Sequence, residues 1–461
     1  MSAQISSMLI RGRAGLAVNK PAEPVPPGWL WVPVNSVARQ ETGHTPSRSH
    51  PEWWGGDIPW IGIRDARLHH GGVIYDTLQT TNPLGLANSS ARLLPKGTVC
   101  LSRTASVGYV TIMGRDMATS QDFVTWTCSE ALVPEFLVKA LIAEGEGLRK
   151  FGKGTTHTTI YFPEIRALHI CLPPLAEQKR IVAKLDALSA KSARARTELA
   201  RIETLVSRYK QAVLSKAFSG ELTREWRHGR DWPASVRLGD VAGSFAYGSA
   251  AKSQKSGSIP VLRMGNIQNG KLDWTDLVYT DDKDEIEKYR LVLGDVLFNR
   301  TNSPPLVGKT ALYNGEREAI FAGYLIRIVA GPDLDARYLT YALNSPSGRE
   351  FSWNAKTDGV SQSNISASKL KEFAFAVPQL EEQHEIVRRI ESAFARIDRL
   401  AKEAKRALEL VGRLDEAILA KAFRGELVPQ DEKDEPAELL LARIRAERET
   451  APNAKRGRGR R

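Results

Sequence analysis

The alternation of apolar and polar positions is written twice in this chain. Residues 172–222 recur without a gap as residues 377–427, an offset of 205 positions, and 21 of the 51 aligned residues are identical. In both copies apolar or small residues follow one another at spacings of four and three, with Arg, Lys and Glu between them. A heptad pattern sustained this long predicts two helices that pair in a coiled coil. The predicted seam consists of Ile181, Leu185, Leu188, Ser192, Ala195, Leu199, Ile202, Val206, Tyr209 and Val213, and of Ile386, Ile390, Ala393, Ile397, Leu400, Ala404, Ala407, Val411, Leu414 and Ile418.

Proline and glycine mark the ends of both predicted helices. Pro173-Pro174 and Pro378 precede them, and proline is well tolerated at the start of a helix. Both copies end in Lys-Ala-Phe-x-Gly-Glu-Leu, where glycine suits the position just past a helix end. The sequence therefore predicts helices over residues 174–218 and 378–423. Heptads alone are equally compatible with a plain stabilising hairpin or a dimerisation rod.

Short apolar runs separated by Gly, Pro, Asn and Asp lie ahead of each long helix and predict strands and loops. In the first half of the chain these runs are residues 58–63, 98–101, 109–112 and 123–126, and residues 134–142 read as a helix. The second half replays the same order. We therefore predict an α+β fold, with two mixed α/β globular domains separated by two long antiparallel coiled-coil helices in a pseudo-twofold internal repeat.

The predicted segments follow this repeat. They are a flexible N-terminal tail over residues 1–28, a first globular domain over 29–173, the central helix over 174–218, a linker over 219–231, a second globular domain over 232–377, the distal helix over 378–423, and a short helix with a basic tail over 424–461.

The charge balance favours a polyanionic partner. Lys and Arg number 65 against 53 Asp and Glu, which gives a net charge of +12 and a pI near 9.5, and phosphate neutralisation supplies much of the affinity of nucleic-acid binders. The three cysteines form no CxxC pair, which argues against a disulfide framework and a zinc site. No apolar run approaches the roughly 18 residues of a membrane span, and the N-terminus lacks the apolar block of a signal peptide. We expect a cytoplasmic protein without a membrane segment.

No stretch of the sequence predicts a catalytic site. Residues 307–310 read Val-Gly-Lys-Thr like the end of a phosphate-binding loop, but Ser303 stands where that motif requires glycine. Residues 302–306 lack the aromatic residue of an amino-methyltransferase motif, and no glycine-rich cofactor loop lies nearby. The eight histidines show no metal-ligand spacing. We expect a chain that binds rather than catalyses and that holds no metal; a fused methyltransferase is disfavoured by the missing cofactor loop.

The duplicated motifs resemble those of the specificity (S) subunit of type I restriction-modification systems. They are residues 172–178 and 377–383, each of which opens a heptad helix, and residues 216–222 and 421–427, which close it. The resemblance extends from about residue 29 to 446. It implies that each globular domain is a target recognition domain that reads one half of a bipartite double-stranded DNA sequence, while the paired helices set the spacer.

The resemblance also implies partners and cofactors. Two modification (methyltransferase) subunits would dock on the chain, and two restriction (translocase/endonuclease) subunits would complete the enzyme. S-adenosylmethionine, ATP and magnesium would belong to these partners, and this chain would hold no cofactor. The competing hypothesis is a non-enzymatic coiled-coil scaffold whose globular domains bind protein.

Two sets of residues are candidates for these contacts. Base reading needs Arg, Lys, Asn or Gln on loops that reach a groove, although a framework role for Arg103 and Arg300 is an equal alternative, and Arg64 and Arg263 are weaker candidates that also fit solvated strand faces. The candidate DNA contacts are Arg64, Arg103, Thr104, Lys153, Thr156, His157, Arg263, Arg300, Thr301, Asn302, Lys356, Gln362 and Asn364. The candidate partner contacts, all in the repeated motifs, are Glu177, Gln178, Phe218, Gly220, Leu222, Glu382, Gln383, Phe423, Gly425 and Leu427.

Overall fold

A computed structural model describes residues 15–22, 24–104, 106–150, 159–360 and 362–450. The chain divides into two compact units. Unit 1 comprises the described residues up to 197 and from 408 onwards, and unit 2 comprises residues 198–407. Both boundaries fall inside the long helices. Each unit therefore contains one globular domain, the beginning of one long helix and the end of the other.

The helices include the two long ones that the heptads predict. In chain order they are α1 Val34–Val37, α2 Ile63–Leu68, α3 Pro83–Ala87, α4 Pro134–Ala143, α5 Gly145–Lys150, α6 Phe162–Arg166, α7 Leu175–Phe218, α8 Leu238–Val241, α9 Lys283–Tyr289, α10 Ala336–Asn344, α11 Pro346–Ala355, α12 Ala367–Leu370, α13 Leu380–Phe423 and α14 Ala437–Thr450. Short 3-10 helices lie at Pro51–Trp53 and Met264–Asn266.

Unit 1 contains three sheets, with strand orders β1-β11-β2, β3-β10-β7-β8-β5 and β6-β4-β9. Its strands are β1 Leu16–Val18, β2 Leu30–Pro33, β3 Ala38–Thr42, β4 Trp54–Ile61, β5 Val73–Ile74, β6 Gln79–Thr81, β7 Val99–Ser102, β8 Val110–Met113, β9 Ala118–Thr119, β10 Phe123–Cys128 and β11 Leu168–Leu172. Pairing is antiparallel except for β4 with β9 and β5 with β8. The four strand runs and the helix predicted in this half are present as β4, β7, β8, β10 and α4.

Unit 2 repeats this topology. Its strands are β12 Ser235–Arg237, β13 Ala242–Tyr247, β14 Ile259–Leu262, β15 Ile267–Gln268, β16 Lys271–Leu272, β17 Val278–Thr280, β18 Val296–Asn299, β19 Thr301–Asn302, β20 Thr310–Leu312, β21 Ile320–Phe321, β22 Leu325–Ala330, β23 Thr357–Asp358, β24 Ser363–Asn364 and β25 Ala374–Ala376. The order β13-β22-β18-β20 matches β3-β10-β7-β8, and β17-β14-β21 matches β6-β4-β9, including the parallel pair of β14 and β21. The α+β class and the internal repeat are thus confirmed.

Each globular core continues onto the ends of the long helices. In unit 1 the buried Ile181 of α7 and Phe423 of α13 join the core that contains Phe136, and the Phe136 and Phe423 rings lie 5.3 Å apart. In unit 2 the buried Leu214 and Ile386 join the core around Tyr338 in the same way. Full burial of such side chains contributes roughly 1.5–3 kcal/mol each, so each globular domain is firmly attached to both helices of its unit.

The long helices run antiparallel, as ion pairs within each unit indicate. In unit 1 Arg196 pairs with Asp415 at 2.6 Å, and Arg180, nearer the start of α7, pairs with Asp434 beyond the end of α13. In unit 2 Lys210 pairs with Asp398 at 2.5 Å. Each helix has 44 residues, hence a length of about 66 Å at 1.5 Å per residue.

Some residues that the heptad spacing places in the seam are exposed in the structure. Tyr209, Leu400 and Leu414 were assigned to the seam by their spacing, but they are exposed by 60, 61 and 54%. The stripe shifts because a straight helix drifts by about 20° per heptad relative to a strict seven-residue repeat.

The predicted N-terminal tail also needs correction. Residues 16–18 of the predicted flexible tail form the buried strand β1, whose Leu16 pairs with Ile170 of β11. The predicted linker over residues 219–231 follows α7, and its Thr223 and Arg227 are buried. The predicted short helix near the C-terminus is present as α14, and the basic residues after it lie outside the described part of the chain.

Candidate nucleic-acid interface and helix junctions

The motif at the start of α7 joins the helix to its globular domain. The Gln178 side chain is fully buried: its Oε1 accepts a hydrogen bond from the Val133 amide (2.9 Å), and its Nε2 donates to the carbonyl oxygens of Ala131 (2.9 Å) and Pro173 (3.0 Å). Its neighbour Glu177 is also buried and accepts from the indole of Trp29 at 3.0 Å. Burial raises the pKa of Glu177, while the Trp29 hydrogen bond opposes the shift.

The equivalent motif at the start of α13 repeats the glutamine bonds. Gln383 Oε1 accepts from the Asp335 amide at 2.8 Å, and its Nε2 donates to the carbonyl oxygens of Asp333 and Pro378. The neighbouring Glu382 is also buried, but its carboxylate has partners different from those of Glu177.

Two residues of the segment 219–231 bind the Glu382 carboxylate. Its Oε1 accepts from Thr223 Oγ1 (2.7 Å) and Arg227 Nη1 (3.1 Å), and the Arg227 guanidinium lies 4.9 Å from the centre of the Trp232 ring. These bonds tie the end of α7 to the beginning of α13 within unit 2.

The motifs that close the helices are internal as well. Phe218 packs on Tyr338 with ring centres 5.1 Å apart. Gly220 and Gly425 adopt φ of +75° and +72°, the left-handed conformation that glycine accepts at no steric penalty just past a helix end. Leu222 and Leu427 are partly buried against the two cores.

Burial argues against five of the ten predicted partner contacts, while the contacts of the other five with a partner stay a prediction. Glu177, Gln178, Glu382, Gln383 and Phe423 are buried within the chain, so their side chains are not available to a partner. The two glutamines make equivalent bonds, which join each globular domain to its helix in the same way.

Arg103 and Arg300 occupy equivalent framework positions. The backbone amide of each donates across to a neighbouring strand or loop (to Asp122 and Tyr324), and the backbone carbonyl of each accepts from an isoleucine amide, Ile160 at 2.8 Å and Ile365 at 2.9 Å. This backbone arrangement ties the end of a strand to the following loops, as the framework alternative predicts.

The two guanidinium groups are engaged within the protein. Arg103 donates to the Gln121 carbonyl at 3.1 Å and lies 4.5 Å from the centre of the Phe162 ring; burial lowers its pKa. Arg300 donates to the Asn364 side-chain oxygen at 2.8 Å and lies 4.8 Å from the Tyr247 ring. Their contact with DNA stays a prediction.

A small sheet brings the remaining candidates of unit 2 together. Strand β24 pairs with β19 on one side and with β23 on the other. Asn364 Nδ2 donates to Thr301 Oγ1 at 2.9 Å, and the Lys356 ammonium binds the Asp358 carboxylate at 2.6 Å. The sheet and its hairpin thus gather Arg300, Thr301, Asn302, Lys356, Gln362 and Asn364.

The other candidates are scattered or outside the described residues. Arg64 is exposed, but it lies in helix α2 rather than on a strand face. Arg263 precedes a 3-10 helix, where it pairs with Asp276 at 3.3 Å. Thr104 donates to the Asp122 carboxylate. The predicted counterpart loop with Lys153, Thr156 and His157 lies outside the described residues.

The structure reveals apolar pairs that the sequence analysis did not separate from the seam. Leu205 and Tyr209 on α7 are exposed by 42 and 60%, and Leu410 and Leu414 on α13 by 61 and 54%. The second pair follows the first by 205 residues, the offset of the repeat. Spacing by four places each pair on one face of its helix. Their identical positions in both copies are the signal by which the sequence alone points to them.

Within the described ranges, no three or more His, Cys, Asp or Glu side chains are arranged to hold a metal ion. Burial raises the pKa of the Cys128 and Cys171 thiols to about 12, so both are neutral and unreactive at ordinary pH. Among the helices described here, each is too short or too polar to cross a membrane.

The repeated topology coincides with a repeated family match. Residues 26–204 and residues 230–410 both match the model of the type I restriction modification DNA specificity domain. The two matches cover well over half of the chain. The chain belongs to the type I restriction-modification specificity family.

Relatives of this specificity protein match it along almost their full length. It is 30% identical over 466 residues to the specificity subunit of the type I restriction enzyme StySPI of Salmonella potsdam, with 94% of this chain and 98% of that protein covered. It is 28% identical over 464 residues to the EcoKI specificity subunit of Escherichia coli strain K12, with the same shares covered. The chain is thus a type I specificity subunit, which recognises a DNA target with two specificity domains and works in a complex with other restriction-modification subunits.

Solved structures share the fold of this specificity subunit. A chain from a study of the assembly and conformational transition of the type I restriction-modification system aligns with a TM-score of 0.68 at 22% identity, covering 88% of this chain and 100% of that one. The HsdS subunit from Thermoanaerobacter tengcongensis aligns with a TM-score of 0.59 at 22% identity, covering 88% and 99%.

Proposed function

We propose that the subunit itself catalyses no reaction, and that each globular domain reads one half of a bipartite DNA target while the long helices set the spacer. The observation that supports this most is the duplication of a complete DNA specificity domain, with one copy of its topology in each unit. Half-site spacing follows geometrically from rigid separation of two reading modules. The location we propose is the cytoplasm, where such a target is accessible.

Methylation mapping of the native genome by long-read sequencing tests this function directly. Deletion of the gene should remove methylation at one bipartite motif, and re-expression of the chain should restore it. An unchanged methylome would argue for the scaffold hypothesis. Purified chain with its modification subunits should then bind duplex DNA with an affinity that falls steeply with salt, as phosphate contacts require; binding that ignores salt would contradict DNA recognition.

The exposed apolar pairs support docking of two modification subunits, one at Leu205 and Tyr209 and the other at Leu410 and Leu414. Each pair is an exposed apolar surface on a long helix. The buried residues of the repeated motifs, such as Gln178 and Gln383, offer a partner no accessible side chain. Because the pairs are equivalent in the repeat, one partner type fits both. Two restriction subunits would complete the enzyme, and S-adenosylmethionine, ATP and magnesium would be bound by the partners.

Native mass spectrometry of the complex with modification subunits tests this docking. The wild-type chain should carry two modification subunits, and the double variant Leu410→Asp/Leu414→Asp should carry one. The variant Lys405→Asp is a matched control, because it lies five residues before Leu410 and hence on another face of α13. The double variant Leu205→Asp/Tyr209→Asp should likewise carry one modification subunit. If both double variants still carry two modification subunits, these docking surfaces are refuted.

A further inference from the structure

The two globular domains hold one loop by the same anchor. The amide of His44 donates to the Thr119 carbonyl at 2.9 Å, and the amide of Ser249, 205 residues later, donates to the Phe321 carbonyl at 2.8 Å. The preceding glycines, Gly43 and Gly248, lie so close to those carbonyl oxygens that a Cβ atom would approach them to 2.1 and 2.3 Å. Only glycine fits either position, so the loops leave the framework at equivalent points.

Beyond the anchor the two loops have nothing in common. Residues 44–53 read His-Thr-Pro-Ser-Arg-Ser-His-Pro-Glu-Trp, and residues 249–258 read Ser-Ala-Ala-Lys-Ser-Gln-Lys-Ser-Gly-Ser. No position is identical at the 205-residue offset, whereas the helices keep 21 of 51. Two domains with one framework can read two different DNA sequences if their loops are anchored alike but differ in amino-acid sequence.

In unit 1 the loop forms one wall of a cleft of about 620 Å³, and residues 87–90 form the other. The walls are held together from behind: Thr81 Oγ1 donates to the Trp53 carbonyl at 2.7 Å, and Asn82 Nδ2 donates to the Glu52 carbonyl at 2.9 Å. The side chain of Asn82 also caps helix α3, which carries the second wall. The backbone of both walls is therefore fixed by the fold without a ligand.

The cleft presents free polar groups beside aromatic and basic ones. Among the described residues, the His44 imidazole and the Ser90 hydroxyl have no hydrogen-bond partner, and Asn88 uses only its amide nitrogen, on Leu84. His50 stacks on Trp53 with ring centres 4.1 Å apart. Hydrogen-bond donors and acceptors on a backbone fixed in this way match the edges of base pairs.

We propose that the loops anchored by Gly43 and Gly248 are the base-reading segments of the two domains, with the cleft of unit 1 reading one half-site through His44, Asn88 and Ser90. This inference rests on the proposed reading of one half-site by each domain. It assigns sequence selection to these loops and leaves Arg103 and Arg300, whose backbone bonds are alike in both units, as framework.

Methylation mapping of variants in the native host tests the assignment. The triple variant His44→Ala/Asn88→Ala/Ser90→Ala keeps the backbone anchor and should relax one half of the motif, with about tenfold more methylation at sites that differ there by one base pair. The other half should stay unchanged. The matched variant Lys252→Ala/Gln254→Ala, in the loop of unit 2, should alter only the other half.

The possible results distinguish failure of the base-reading assignment from failure of the proposed function. If the wild type methylates a bipartite motif and the triple variant methylates the same motif with unchanged stringency, the base-reading assignment is overturned and the proposed function stays intact. The absence of any bipartite motif in the wild type would overturn the proposed function. If the triple variant methylates nothing, the single variant Ser90→Ala decides: a relaxed half-site supports the assignment, and an unchanged motif overturns it.

Discussion

Replacement of Gln178 by alanine tests the junction between α7 and its globular domain. The side chain is fully buried and makes three hydrogen bonds to backbone groups of unit 1. Its removal leaves one amide and two carbonyl groups without a partner, and each buried group left unsatisfied costs about 1–3 kcal/mol. Since a water molecule in the vacated space can restore part of this bonding, we expect a loss of about 3–5 kcal/mol. That is a large fraction of the stability of an ordinary domain.

Hydrogen exchange followed by mass spectrometry measures this loss locally. Peptides that contain Val133 and the beginning of α7 should exchange roughly two to three and a half orders of magnitude faster in the variant, because each tenfold corresponds to about 1.4 kcal/mol. Gln383→Ala is the matched control: it should expose the peptide around Asp335 in unit 2 and leave the Val133 peptide protected. Acceleration of less than about tenfold at Val133 would refute the reasoning.

An isosteric change separates bonding from volume. In Gln178→Glu a carboxylate oxygen faces the carbonyl oxygens of Ala131 and Pro173, where the amide nitrogen donated. The repulsion should raise the folded-state pKa of the new carboxyl group, since only the protonated form can donate. The variant should therefore be most stable below the unfolded pKa of about 4.3 and lose stability as the pH rises through the folded pKa. A stability independent of pH would show that the side chain had left the junction.

Three further changes test the neighbouring contacts. Burial raises the pKa of Glu177 above its ordinary value of 4.5, so its ionisation destabilises the fold as the pH rises through the folded pKa; Glu177→Gln should raise stability in urea at pH 7 and flatten the profile. Arg227→Met should destabilise unit 2 by about 3–5 kcal/mol because it leaves the Glu382 carboxylate buried and unpaired, and Arg227→Met/Glu382→Leu should recover most of that loss in a double-mutant cycle. Gly220→Ala should lower the free energy of unfolding by at least about 1 kcal/mol, since its φ is +75° and a Cβ would meet the Trp232 ring at 2.5 Å; an unchanged melting temperature would contradict this.

The periodicity of the sequence was sufficient to predict the elements but not their outer limits. Prolines and glycines delimit both long helices to within two residues, because they act on the backbone directly. Strand β1 escaped prediction because three apolar residues in a region rich in Pro and Gly carry no measurable period. Its stability comes from pairing with β11, more than 150 residues away in sequence. Such tertiary pairing is not encoded in the local pattern.

Recurrence within the chain was a poor guide to which residues meet a partner. A glutamine written twice is equally consistent with two docking sites and with two identical internal bonds, and burial alone decides between them. Gln178 and Gln383 prove to be internal. The pairs at Leu205 and Leu410 recur with the same offset and are exposed, but the heptad spacing assigned Leu414 and Tyr209 to the seam. Direction around the helix, which depends on the packing of both partners, could not be obtained from spacing.

The repeat separates features that are the same in both units from features that differ. The glutamine bonds of the helix junctions, the backbone bonds of Arg103 and Arg300 and the glycine anchors occur in both units, and the exposed apolar pairs recur at the same offset. The loops beyond Gly43 and Gly248 have no identical residue at equivalent positions. The chain thus combines two copies of one framework with two loops of different sequence. A substitution in an anchored loop leaves the bonds that hold the domain to its helices intact, because those bonds lie elsewhere in the domain.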